Sequence, residues 1–293
     1  VFRWWDKAVL KDLLVAREVL KEMKTDESYR RFLWVGLATT VIEVANVERC
    51  HPTISFADNP FNVRSNHRLK EKPKNRDVMH TLSSKLNKMI SDLNLIKTEF
   101  GENIHTEARV ILGDSKHITK LIDPETYVII TSPPYPNRYS YVWETRPYLY
   151  FFEIFKKPRE ASDLDMATIG GTWGRATFVL KDTVIKPLNK EVDNAVGETV
   201  EKIRKRSNLL ANYVQKYFNE MYIHFSELSK VAENNSRCAY VIGNSKIKGV
   251  EIQSDIVLAN LLESVGFSIN NIVRIRTRLG KKGLYEAIIY GSK

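Results

Sequence analysis

The sequence predicts an α/β fold, an open sheet built on parallel strands with added helices, and three observations predict it. Tyr127-Val-Ile-Ile-Thr131 is a β-branched and aromatic run, the composition of a buried parallel strand. Apolar side chains recur at helical spacing through residues 2–23, 29–47, 77–97 and 191–232. A strand, a helix and a hairpin then follow one another between residues 238 and 290. At 293 residues, 43% hydrophobic and 27% charged, the chain can bury a substantial core in one large domain or two modest ones.

Taken in order, residues 2–23 place Val9, Leu10, Leu13, Leu14, Ala16 and Leu20 on one stripe, an amphipathic helix packed on something larger. Trp4 and Trp5 read either as a stacking platform or as core anchors, and the large apolar area of the indole favours the core. Residues 29–47 are a second, more buried helix. From 48 to 77 the pattern breaks into a loop with three prolines and a basic series that includes Arg64, Arg68, Lys70 and Lys72. That loop reads as a phosphate-contacting arm or as a solvated segment. Residues 1–100 thus form an amino-terminal helical region, which the helix at 77–97 closes.

A strand is expected over His105–Ser115, ending in Gly113-Asp114-Ser115, and a short link leads to the strand at 127–131. Two prolines follow Ser132. Neither can donate to a sheet ladder, and each pushes its predecessor out of the α region, so the strand ends there. A polar group and an aromatic ring are then presented beyond its carboxyl end, where open α/β sheets bind ligands. Asn137, Arg138 and Tyr139 fall close enough to line the mouth of such a site. The second half of 136–155 should be a helix, with Phe151, Phe152 and Phe155 in the core. Gly170-Gly-Thr-Trp-Gly174 and Arg175 lack the spacing of a phosphate loop, and read as a flexible segment that touches the target. Cys238–Gly243 is a strand, 250–265 a helix, and 271–278 with 284–290 a hairpin around Gly280 to Gly283.

Ser132-Pro133-Pro134-Tyr135, preceded by Thr131, resembles motif IV of the DNA amino-methyltransferases, in the Thr-Ser-Pro-Pro-Tyr form typical of cytosine-N4 enzymes. Gly113-Asp114-Ser115, one short link upstream, is similar to the motif III that precedes it. The resemblance covers about 101–293, with an insertion at roughly 156–235. It implies a Rossmann-like class I methyltransferase sheet, S-adenosylmethionine as cofactor, and transfer to an exocyclic amino group. By that resemblance Ser132 and the carbonyl of Pro133 accept the amino hydrogens, the stiff Pro133-Pro134 pair fixes them, and Tyr135 stacks on a flipped base. Asp114, flanked by Gly113, Ser115 and Thr131, holds the adenine end of the cofactor. Asn137, Arg138, Tyr139, Arg175 and the basic series at 64–72 contact nucleic acid.

One departure stands out. The family's motif I, a Phe-x-Gly-x-Gly turn after the first strand, occurs nowhere in the chain. The sheet is therefore expected to be incomplete on its amino-terminal side. A second polypeptide, or a portion cut from the same one, is expected to carry that half. The net charge of +10 favours a polyanionic partner, DNA ahead of a merely solvated basic surface. Cys50 and Cys238 lack CxxC or metal-ligand spacing and read as buried thiols in a reducing compartment. Neither a membrane span nor a signal peptide is legible, so the expected location is cytoplasmic, with neither membrane nor metal as partner. Two rivals stay open: an RNA base N-methyltransferase using the same motif, and a non-catalytic DNA-binding subunit of a split enzyme.

Overall fold

The computed structural model describes residues 4–48, 55–56, 77–101, 107–123, 125–171, 175–278 and 283–293. In chain order these form α1 (Lys7–Glu22), α2 (Glu27–Glu43), the short antiparallel pair β1 (Val47–Glu48) and β2 (Ser55–Phe56), and α3 (Val78–Phe100). A 3-10 helix (Ser115–Lys120), β3 (Thr126–Thr131), α4 (Tyr141–Phe151), α5 (Pro158–Ala167) and α6 (Arg175–Asp182) follow. The chain closes with α7 (Lys190–Arg204), α8 (Asn208–Val231), β4 (Ala232–Gly243), β5 (Ser245–Ile247), β6 (Val250–Ile252), α9 (Ser254–Ser264), β7 (Ser268–Thr277) and β8 (Tyr285–Ser292). They sort into two compact units, one of residues 1–108 with 143–157, the other of residues 109–142 with 158–293.

The first unit is helical. Its core gathers Leu10, Leu13 and Leu20 of α1, Leu37 and Val41 of α2, Val78 of α3 and Phe151 of α4. Trp5 is buried there and its indole N–H donates to the Val41 carbonyl at 2.8 Å, so it is a core anchor. Asp77 opens α3 by accepting the His80 amide at 2.9 Å, an N-cap that satisfies one of the helix's unpaired donors.

In the second unit a mixed sheet runs in the order β3-β4-β8-β7. β3 lies parallel to β4, with Thr131 opposite Tyr240. β8 is antiparallel to both neighbours, with Ile289 between Tyr240 and Ile272. β3, β4 and β7 therefore point the same way, and their carboxyl ends share one edge. Tyr240, Ile242 and Ile289 meet Tyr213, Phe218, Met221 and Phe225 of α8 and Leu258 and Leu262 of α9 in a single core. Cys238 lies buried in it as a free thiol, and Cys50 falls outside the described residues.

Several expectations change. Residues 107–114 form no strand, and Val110 and Leu112 stand fully exposed. A strand exists only where a neighbour takes its backbone groups, and the sheet ends at β3 among the described residues. For the same reason β3 is not buried on both faces: Tyr127, Val128 and Ile130 are 61%, 63% and 78% exposed, and only Ile129 packs on the core. Residues 250–252 are a strand rather than the start of a helix. Lys248 and Gly249 both adopt positive φ, 49° and 78°, the two-residue turn that closes a tight β5–β6 hairpin. The long helical region at 191–232 is two helices, because Ser207 leaves the helix and caps α8 through the Leu210 amide. Around the Gly170–Arg175 stretch read as flexible, of which residues 172–174 lie outside the described residues, the chain forms α5 and α6.

Candidate active site

β3 ends at Thr131, half-buried and opposite Tyr240, and the chain turns out at Ser132, whose side chain is exposed. Pro133 is buried behind it. The Pro134 carbonyl accepts the Tyr217 hydroxyl at 2.7 Å. Tyr135 lies half-buried against Gly243 at the end of β4, where an added Cβ would stand 2.9 Å from its ring. The Arg278 guanidinium, just past β7 and likewise half-buried, sits 5.7 Å from the same ring, a cation–π contact. The carboxyl ends of three parallel strands thus contribute Ser132 to Tyr135, Gly243 and Arg278 to one place. Burial raises the Tyr135 hydroxyl above its ordinary pKa, with Glu286 adding to the effect, so it stays protonated at neutral pH.

The chain then bends sharply. The Asn137 amide donates to the Tyr135 carbonyl at 2.7 Å, and the Asn137 side chain accepts the Tyr139 amide at 3.1 Å. Arg138 takes a positive φ of 60° and its amide donates to the Tyr213 hydroxyl at 2.9 Å. Asn137 is exposed, while Arg138 and Tyr139 are half-buried. Ser140 donates to the buried Asp165 of α5.

Asp114 caps the 3-10 helix: one carboxylate oxygen accepts the Lys116 amide at 2.9 Å and the other faces the Lys116 ammonium at 3.3 Å. The carboxylate remains exposed on its outer side. Gly113 packs closely on Leu121: a Cβ there would come within 2.4 Å of the leucine's methyl groups, which would have to shift. The Ser115 carbonyl lies 3.1 Å from His224 Nδ1, and His224 Nε2 lies 3.0 Å from the Tyr240 hydroxyl. A carbonyl can only accept, so Nδ1 carries the proton and Nε2 receives the tyrosine O–H. Burial lowers the His224 pKa against the opposing pull of the Ser115 carbonyl and Asp114, which fits that neutral imidazole.

Three of these partners, Tyr213, Tyr217 and His224, come from α8, which the sequence reading places within an insertion, and Glu220 of the same helix joins them. Tyr213, Tyr217, Glu220 and His224 are spaced i, i+4, i+7 and i+11, one face of a helix. Glu220 lies 3.8 Å from Lys116 and 2.8 Å from Lys216, and accepts the Gly170 amide at 3.3 Å. Its burial raises its pKa, while the two lysines oppose the shift. The sequence reading misses this stripe, although Tyr, Tyr, Glu and His recurring at helical spacing are a signal for it. Gly170, at φ 74°, packs on the Tyr217 ring, and a Cβ on Gly171 would fall 1.6 Å from the Asp165 carbonyl. This turn is therefore built around α8 and α5.

The structure brings Thr131 to Tyr139 together in the second unit, and ties Ser115 and Lys116 beside Asp114 to the same helix. Arg64, Arg68, Lys70 and Lys72 lie outside the described residues, and of Arg175 only the backbone, opening α6, is described. No group of His, Cys, Asp and Glu suited to a metal occurs among the described residues. No described helix is long and apolar enough to cross a membrane.

No protein-family model matches the chain, and no solved structure does. It is similar to the Type II methyltransferase M.AvaI of Nostoc sp. strain PCC 7120 and to that of Anabaena variabilis. Each is 27% identical over 164 residues, which cover 52% of this chain and 33% of the relative. The match thus takes in about a third of the length of these curated relatives.

Proposed function

We propose that the chain is the catalytic and target-binding half of a DNA methyltransferase of the restriction–modification kind. In this reading it transfers a methyl group from S-adenosylmethionine to an exocyclic amino group, cytosine N4 ahead of adenine N6. The observation that carries it is the Ser132-Pro-Pro-Tyr135 loop at the shared carboxyl end of β3, β4 and β7, its serine exposed and its tyrosine ring seated beside Gly243 and Arg278. Similarity to Type II methyltransferases supports the reaction class.

An exocyclic amino group is a poor nucleophile because its lone pair is delocalised into the ring. Ser132 Oγ and the Pro133 carbonyl are suited to accept its two hydrogens and to favour a tetrahedral nitrogen. The flanking prolines stiffen these acceptors, and Tyr217 fixes the next carbonyl. Orientation then supplies much of the acceleration. The Tyr135 face receives a base taken out of the stack, which the chemistry requires because the amino group is unreachable within a duplex. Asn137, Arg138, Tyr139 and Arg175 flank the base, and the basic series Arg64, Arg68, Lys70 and Lys72 takes phosphates.

The residues fit the cofactor in part. Asp114 keeps an exposed outer side with each oxygen used once, so an adenine amino group can still be accepted there, beside Gly113, Ser115 and Thr131. When bound, S-adenosylmethionine supplies the sulfonium methyl. The chain offers no glycine-rich turn for the methionine end. The reading therefore includes a second element that carries such a turn and completes a Rossmann-like sheet. The apolar edge of β3, which pairs with no further strand among the described residues, supports that completion. The missing turn equally favours a non-catalytic subunit, and point variants separate the two. Ser132→Ala and Tyr135→Ala are each expected to lower methyl transfer to duplex DNA by on the order of a hundredfold or more, with the melting temperature of the exposed Ser132→Ala variant unchanged. Undiminished transfer by both variants would remove the catalytic assignment.

A further inference from the structure

The polar stripe on α8 connects two segments that are otherwise held separately. With about 100° between successive residues, Tyr213, Tyr217, Glu220 and His224 fall within about 60° of arc and span about 16 Å of axis. The first two grip the loop after β3, through the Arg138 amide and the Pro134 carbonyl. The last two grip the Asp114 turn, through Lys116 and the Ser115 carbonyl. His224 also reaches Tyr240, the β4 residue opposite Thr131.

The loop needs such an outside hold. Pro133, Pro134 and Pro136 remove three backbone donors, so the segment has little hydrogen bonding of its own, and Arg138 sits in a left-handed conformation that costs an ordinary residue energy. The hydroxyls on α8 are dependable partners: Tyr217 is fully buried, and burial keeps both phenols protonated.

We propose that Tyr217 and Tyr213 are positioning residues for methyl transfer, and that α8 sets the register between the Ser132–Tyr135 loop and the Asp114 turn. This rests on the methyltransferase reading. In this proposal α8 acts through the loop and the turn, not on base or cofactor directly. It fixes the angle and distance between the groups that do, where displacement of about an ångström can cost up to a hundredfold in rate.

Tyr217→Phe and Tyr213→Phe remove one hydroxyl each and keep the ring that fills the core. Tyr222→Phe, on the same helix but away from these contacts, is the control. Two readouts are needed on the full chain, with and without the polypeptide encoded immediately upstream. In amide hydrogen exchange, Tyr213→Phe should speed exchange at Arg138 at least tenfold while the α8 amides stay protected. In methyl-transfer kinetics, Tyr217→Phe should lower kcat by roughly ten- to a hundredfold with KM for duplex DNA within twofold of wild type. Wild-type turnover retained in both variants, or an unchanged Arg138 amide in Tyr213→Phe, would overturn the positioning role and leave the reaction standing. Absence of transfer by the wild type in every sample would overturn the reaction and this inference with it.

Discussion

Two apolar stretches of this chain look alike on paper and behave differently in the fold. Val110-Ile-Leu112 and Tyr127-Val-Ile-Ile130 are both short, largely aliphatic and succeeded by a polar turn. The second is a strand because β4 takes its backbone groups and the core takes Ile129. The first has no such neighbour among the described residues, and its side chains stand in solvent. Strand character is thus conferred by a partner, and composition alone cannot tell a paired run from an unpaired one. The turns after the two runs are both held from α8, and they differ in what else holds them. Ser132 to Tyr139 is also packed against Gly243 of β4 and Arg278 past β7, while Asp114 is tied mainly to its own neighbour Lys116.

The largest expected effect lies in the turn that supports the pinned segment. Gly171→Ala drives a Cβ against the Asp165 carbonyl, and a loss of roughly 3 kcal/mol or more in denaturant unfolding is expected. Ile129→Ala should cost about 2 kcal/mol, since it removes the side chain that ties β3 to the core. Leu112→Ala should stay within about 0.5 kcal/mol, as exposed substitutions do. Equal costs for this pair would erase the contrast between the two runs. Gly243→Ala presses on the Tyr135 ring, so a loss of about 1 kcal/mol is expected, together with a shifted tyrosine signal in near-ultraviolet circular dichroism.

The smallest effect concerns pH. Burial lowers the His224 pKa, so the unfolded chain binds a proton below about 6.5 while the folded chain does not until lower pH. That contribution to stability is complete above about 6.5 and declines as the pH falls toward the folded-state value. Thermal melts from pH 7.5 downward should show the decline, and His224→Gln should flatten that part of the curve. An unchanged pH profile in the variant would mean that His224 does not titrate as its surroundings imply.

The strand that stops at Ser132, the closing hairpin and the major helices were legible because each depends on local chemistry: a double proline, alternating β-branched residues, apolar side chains at helical spacing. The candidate loop was legible for the same reason. What eluded the sequence depends on long-range partners. Residues 248–249 close a hairpin through two positive φ angles, which a Lys-Gly pair signals only weakly. Tyr213, Tyr217, Glu220 and His224 lie 75 to 109 residues from the Arg138, Pro134 and Ser115 groups they hold, apart from the shorter reach of Glu220 to Gly170. Arg278 reaches Tyr135 only because β7 runs parallel to β3 in the finished sheet.

The central claim is methyl transfer to an exocyclic amino group of DNA. Nucleoside mass spectrometry tests it directly, on duplex DNA and total RNA incubated with S-adenosylmethionine and the full chain, with and without the polypeptide encoded immediately upstream. The account predicts N4-methylcytosine in DNA, dependent on the upstream polypeptide and lost with Ser132→Ala. A methylated base confined to RNA, or unmodified nucleosides in every sample despite DNA binding by the chain, would contradict it.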